Sequence, residues 1–417
     1  MNRIDWLSPK PLFLIILTLG VYLPTFSFLR FEDSFSRVWP FLFFNKTATV
    51  MEALLIYTGV AIAFCVAHGR ALKKPYSKNI RIINEKTFGL RMFVMVGVGL
   101  FSISAIIYFV GGIGQLLAGA SDRTRAFSGL QGLFILLNIL AAAAVGWLLR
   151  LTSRPTRLSE KLTFALFMLG ALGVLALQGQ KSTLFILIGA LAIIFNARVR
   201  RFRAVEIVVG AVILYVGLMS YHIYKQEYLV LGRVASLGSG EQFWDTVYTF
   251  MNDQFFGNFM QLQTMSVLIE GTPHPLEYQY GYTYWSGLLL LIPRSLFPGK
   301  PLPSTGIFTE AFWPDMWRVA GTTLPAGVFG EGYMNFGIAG ALGLAWLAGH
   351  IYGRIERRHR DHPADDFGLA IYAVMIAAML HYFRGEVASV SYAAASIFLP
   401  VLFLTTRRRA STPAEVS

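Results

Sequence analysis

The chain has 417 residues, 55% of them hydrophobic and 14% charged, with a formal net charge of +13. A soluble domain carries about 25% charged residues, so this composition cannot cover a water-facing surface, and a string of soluble domains is excluded. The basic excess falls in short clusters between apolar runs, which excludes nucleic acid as a partner and fits the positive-inside bias of membrane proteins.

Crossing a ~30 Å hydrocarbon core takes about 20 apolar residues. Runs of that kind predict an all-α polytopic fold, a single membrane domain over 1–417 with about ten transmembrane helices. The spans are 10–28, 48–67, 92–111, 130–149, 162–178, 182–197, 205–224, 328–353, 367–383 and 387–405. The first run has no small-residue cleavage site after it and reads as a retained helix. The single cysteine, Cys65, lies in an apolar segment, so no intrachain disulfide is available. Stretches 1–10, 68–91, 150–161, 197–204, 354–366 and 406–417 hold 24 of the 36 lysines and arginines. They alternate with poorer loops, so they read as cytoplasmic, with both termini inside and 406–417 as a cytoplasmic tail.

Three pieces then fall on the outer side. A short loop begins Gly111-Gly112-Ile113-Gly114 and ends Asp122-Arg123-Thr124-Arg125. A tight turn, Gln178-Gly179-Gln180-Lys181-Ser182, joins two short helices. The third piece is a large periplasmic loop over 225–327, too long to lack structure of its own. Within it Phe243, Val247, Phe250, Phe255, Phe259, Leu262 and Val267 recur at helical spacing among polar residues, which predicts an amphipathic helix lying against the bilayer. The segment 285–292 is too short to span and reads as a dip into the membrane.

Candidate site residues gather on that side. Prolines 293, 298 and 301 hold a rigid, non-helical path that positions Arg294 and Lys300. Such cations suit phosphate oxygens, and they equally suit anionic headgroups. Glu331, flanked by glycines near a predicted helix start, reads either as a functional carboxylate at membrane depth or as a cap of that helix. Lys181 is placed to meet a phosphate or to snorkel to the headgroups. Arg384 and Glu386 share the last outer turn. His381 reads as a proton carrier or a satisfied histidine of the bundle. Arg123 and Arg125 sit in a short loop whose default is solvent or lipid. Tyr333 adds an aromatic beside Glu331. The sequence has no metal-ligand spacing, no Walker loop, no nucleophile elbow and no Asp-x-Asp pair. No cofactor is expected. Cations and aromatics beside one carboxylate suit a lipid diphosphate carrying a sugar chain better than a small ion.

The stretches Ile292-Pro293-Arg294-Ser295-Leu296-Phe297-Pro298-Gly299-Lys300-Pro301, GEGYMNFGIAG (330–340), GQKS (179–182), GGIGQLL (111–117) and YFRGE (382–386) carry a resemblance to the bacterial O-antigen polymerases. The resemblance in topology extends over nearly the whole chain, long late outer loop included. Lys181 stands where family members commonly have arginine, which keeps the charge and loses the bidentate fork.

The resemblance implies a membrane-embedded, GT-C-like glycosyltransferase of the bacterial inner membrane, inverting and metal-independent. It would move a growing glycan from undecaprenyl diphosphate onto a new lipid-linked repeat unit. Lys181, Arg294 and Arg384 would hold the diphosphate, with Lys300 in support and Glu331 activating the acceptor hydroxyl. A polysaccharide chain-length regulator is the partner the family implies. An O-antigen ligase shares the cationic outer site. A flippase of lipid-linked sugars is the reading from another class, and it is disfavoured because the sequence has no repeated halves.

Overall fold

A computed structural model of the chain describes residues 5–25, 46–75, 79–119, 130–177, 181–224, 260–289, 292, 297, 299–318 and 323–409. It is a helical bundle, and among the described residues six helices are long and apolar enough to cross a membrane. These are Thr47–Lys73, Phe88–Val110, Gly132–Ser153, Leu158–Ala176, Gly327–Asp361 and Val387–Leu404. The other four expected spans coincide with shorter apolar helices, Pro9–Thr25, Ser182–Arg198, Ala204–Gly217 and Asp366–Ala377. Leu90, Phe93, Phe101, Leu166 and Val208 are all more than half exposed, whereas His68, Asn138 and Thr183 are buried. Apolar outside and polar inside is the arrangement a hydrocarbon solvent favours. The chain is a multi-pass membrane protein.

The helices are named here in chain order. The N-terminal half holds α1 (Pro9–Leu17), α2 (Lys46–Lys73), α3 (Phe88–Val110), α4 (Ile113–Gly119), α5 (Gln131–Leu137), α6 (Ile139–Ser153), α7 (Leu158–Leu177), α8 (Lys181–Arg198) and α9 (Ala204–Tyr224). After them come α10 (Gln261–Gly271), α11 (Tyr282–Leu288), α12 (Ser304–Phe312), α13 (Pro314–Arg318), α14 (Gly327–Asp361), α15 (Asp366–Ala377), α16 (Met379–Arg384), α17 (Val387–Phe398) and α18 (Val401–Leu404). Two strands, β1 (Asn79–Ile83) and β2 (Thr405–Arg409), form an antiparallel ribbon.

The spine of the bundle is α2 against α14, running side by side in the same direction. Their backbones touch. A Cβ on Gly349 would stand 2.3 Å from the Phe64 carbonyl oxygen, and one on Gly353 2.7 Å from that of His68. Small residues four apart allow this approach, which is how helices associate where no hydrophobic effect drives them together. The close contact also buries His68 Nε2 against Glu356 at 2.8 Å.

The basic stretches meet at one end of the bundle. The ribbon joins 79–83 to 405–409, Arg150 pairs with Glu85 at 2.9 Å, and Arg357 donates to the Leu72 carbonyl. Buried Asp366 accepts from Ile83 N at 2.6 Å and pairs with Arg198 at 2.7 Å. Its neighbour Asp365 caps α15 and pairs with Arg358 at 2.7 Å. Asp5, in the first stretch, acts electrostatically on His359 and Tyr372. The stretches that the charge count groups on one side of the membrane therefore do share one end.

Several expectations change. The run 328–353 is not one continuous span. α14 breaks at Phe336 (φ −140°, ψ 23°) and Gly337 (φ 61°, ψ −148°), and the left-handed φ of Gly337 is one that a side chain disfavours. The run 367–383 is divided into α15 and α16, while 387–405 coincides with the spanning helix Val387–Leu404, within which α17 passes into α18. Residues 405–409 form a strand, because β1 supplies a partner for their backbone. The amphipathic helix predicted against the bilayer is described only from residue 260, and there it is enclosed. In α10 Gln261, Leu262, Gln263, Thr264, Met265, Ser266, Val267 and Leu268 are all buried. Its hydroxyls make this tolerable, Thr264 bonding the Gln261 carbonyl and Ser266 that of Leu262.

The spine contact gives a direct test. Gly349→Leu forces α2 and α14 apart, at a cost of about 1–3 kcal/mol for overpacking. It should lower the Tm in detergent and the monodisperse fraction on size exclusion. Gly343→Leu, on the same helix with nothing within 4 Å of its would-be Cβ, should behave as wild type.

Candidate functional site

The site is built where helices end inside the protein. α2 has 28 residues, about 42 Å at 1.5 Å per residue, and Tyr57 and Phe64 lie in its middle. Phe13 stacks on Phe64 at 3.8 Å between ring centroids. Phe329 and Phe383 pack against Tyr57 at 6.5 and 6.1 Å. The first part of α14 and the end of α16 therefore sit deep in the bundle, and α10 reaches the same level, where the Tyr57 hydroxyl donates to the Gln261 carbonyl at 3.2 Å.

At that depth every helix terminus needs a partner, since no bulk water serves it. Glu331, 1% exposed, accepts from the Val387 N–H at 2.7 Å and so satisfies the start of α17. Glu386, also buried, accepts from Ser304 Oγ at 3.0 Å and from Thr305 N and Oγ1 at 3.3 Å, closing the start of α12. The Thr283 and Ser304 hydroxyls face Glu331 as well, and Glu386 lies within its electrostatic range. Two carboxylates thus sit together, each on the positive end of another helix, where the dipole favours negative charge.

Asn335 completes the group. Fully buried, it donates to Thr283 Oγ1 and to the Glu331 carbonyl, both at 2.8 Å, and its side-chain oxygen accepts from Gly281 N at 2.8 Å. Gln279 N and Tyr280 N donate to the Met334 and Asn335 carbonyls. The loop segment 278–283 is thereby pinned to the unwound turn of α14. Tyr280 is held at φ 43°, a left-handed conformation that costs a non-glycine residue about 1–3 kcal/mol. Burial first, and then the Glu331 carboxylate, hold the Tyr284 phenol above its ordinary range.

The structure places the expected site residues unevenly. Glu331 is buried and caps α17 rather than its own helix. Arg384 and His381 lie in the last turn of α16, with the Arg384 carbonyl beside Gly327 and Arg384 three residues before Val387. Burial lowers the Arg384 pKa from its ordinary value. Tyr333 is buried two residues beyond Glu331, with Tyr278 and Glu52 within electrostatic reach. Lys300 is buried, its Nζ donating to the Ile292 carbonyl at 3.0 Å. Lys181 is the first residue of α8. Arg123, Arg125, Arg294 and most of the proline-rich path lie outside the described residues, as does the 243–259 part of the predicted amphipathic helix. Sequence reading missed Asn335, Thr283, Ser304 and the carboxylate role of Glu386. Only GEGYMNFG, an acid and an amide four apart beside a Phe-Gly break, signals any of them.

No protein-family model, curated protein or solved structure matches the chain.

Two outcomes check this geometry. Asn335→Leu keeps the volume and removes three hydrogen bonds, leaving Gly281 N–H without its partner, a loss worth about 1–3 kcal/mol when buried. Chymotrypsin should then cut after Tyr280 or Tyr282 several times faster than in wild type. Glu331→Gln keeps an oxygen for Val387 N–H and should unfold near the wild-type temperature. Glu331→Ala orphans that donor and should unfold several degrees lower.

Proposed function

We propose that this protein polymerises undecaprenyl-diphosphate-linked oligosaccharide repeat units. The basic end of the bundle faces the cytoplasm, and the chemistry proceeds from the opposite face of the bacterial inner membrane. The observation that carries the reading is the convergence of α10, α11, α12, the broken α14 and the α16–α17 turn on paired, buried carboxylates. The sequence resemblance runs through two of these same stretches, 330–340 and 382–386.

A diphosphate is a good leaving group, so the transfer needs charge neutralisation and positioning more than an acid. The acceptor hydroxyl oxygen bonds to the donor's anomeric carbon while the bond from that carbon to the diphosphate oxygen breaks. The electron pair leaves with undecaprenyl diphosphate. A guanidinium that stays cationic through the cycle stabilises the departing diphosphate, and it does so more strongly in a water-poor site. That role is assigned to Arg384, with Arg294 and Lys181 contributing from the outer turns. The hydroxyl proton goes to Glu331, the carboxylate that holds Val387 N–H and faces the Thr283 and Ser304 hydroxyls. Enclosure by the loop helices excludes water, which would otherwise hydrolyse the donor.

The test is reconstitution of the purified protein in liposomes with lipid-linked repeat units isolated from its host. A ladder of longer lipid-linked glycans should form without added nucleotide sugar and should survive chelator. Arg384→Ala and Glu331→Gln should each cut ladder formation at least a hundredfold, the second with its Tm retained. Single repeats that stay single would defeat the reading. Transfer to lipid A instead would make the protein a ligase.

A further inference from the structure

The kink in α14 carries a second feature that the carboxylate pair does not use. Tyr280 is 76% exposed and Phe336 50% exposed, and both are held rigidly. Tyr280 is fixed in its left-handed conformation by its own N–H on the Asn335 carbonyl and by Gly281 N on the Asn335 side chain. The Phe336 ring comes within 3.8 Å of where a Cβ on Gly281 would stand, and the Tyr278 hydroxyl lies 3.6 Å from the same point on Gly337. Tyr278 and Tyr280 have ring centroids 6.2 Å apart, tilted by 57°. The parallel run of α2 and α14 pairs Gly59 with Leu342, Phe64 with Gly349 and His68 with Gly353. Continued outward, that register sets Glu52 level with the kink, consistent with its electrostatic action on Tyr333. Glu52 is exposed and makes no hydrogen bond or ion pair with another described residue.

We infer that Tyr278, Tyr280, Phe336, Tyr333 and Glu52 form a saccharide subsite that takes one pyranose ring of the substrate glycan. The chemistry matches both faces of a sugar. Its C–H face packs on rigid aromatic rings, and its hydroxyls donate to a carboxylate and exchange hydrogen bonds with the phenols. A membrane anchor fits less well, because an exposed carboxylate is costly against hydrocarbon and an anchor has no need of a strained tyrosine. The lipid-facing surface is instead the neighbouring α11, which exposes Tyr282, Trp285 and Leu288 and buries Thr283, Ser286 and Gly287. The subsite rests on the polymerase reading for the identity of its ligand.

The test uses the full chain in nanodiscs and, as probe, the oligosaccharide released by mild acid from the host's own lipid-linked pool. Binding is read by saturation-transfer NMR, alongside the reconstituted ladder assay. Ring protons of the probe should saturate with wild type. Tyr280→Ala and Phe336→Ala should each weaken binding at least tenfold, and Tyr280→Trp should restore it. Glu52→Gln should weaken binding severalfold with an unchanged size-exclusion profile. Wild-type binding in both alanine variants, with a normal ladder, overturns the subsite and leaves the polymerase standing. Binding that depends on these rings, with no ladder from wild type, overturns the polymerase and leaves the subsite. Neither binding nor ladder overturns both.

Discussion

The Glu331 carboxylate on the Val387 N–H is the contact on which the site depends. In a bilayer core a helix cannot simply stop, because each terminal donor left without a partner costs several kcal/mol. This chain nonetheless stops helices inside the bundle, at the starts of α12 and α17, and breaks α14 at its kink. It does so with three side chains, Glu331, Glu386 and Asn335, all from stretches that end or break a helix. Each carboxylate answers a terminus belonging to another element, so the three breaks hold one another in place.

That reciprocity explains why a loop can be part of the membrane domain. Once the termini are satisfied, α10 can lie enclosed at the level of Tyr57, with its own hydroxyls turned back on its backbone. The result is a cluster of polar groups in apolar surroundings, with paired, fixed carboxylates. Electrostatic interactions are strong there because little solvent screens them.

What the sequence made legible follows from period and charge. Apolar runs located the spanning helices, and the basic clusters grouped Lys74, Arg150, Arg198 and Arg357 at one end, where the structure joins them through backbone carbonyls, glutamates and aspartates. Local pattern does not reveal where a buried chain turns. The break at Phe336–Gly337 lies inside an apolar stretch that reads as uninterrupted helix. The helix predicted over 243–267 looked amphipathic because polar residues such as Asn252 and Asn258 interrupt its apolar ones, yet in its described part Gln261, Gln263 and Ser266 are buried with the rest. Lys300 looked positioned by its prolines, and its partner is the Ile292 carbonyl. In each case a partner distant in sequence decides the outcome, and periodicity carries no information about such partners.

Amide hydrogen exchange across 261–271, measured on the protein in nanodiscs, bears most directly on the inserted loop. If α10 is enclosed between α2 and α14, these amides should be protected for hours, on the timescale of the α2 amides around Tyr57. Exchange within seconds, as expected of a helix resting on the membrane surface, would contradict the insertion and with it the placing of Glu331.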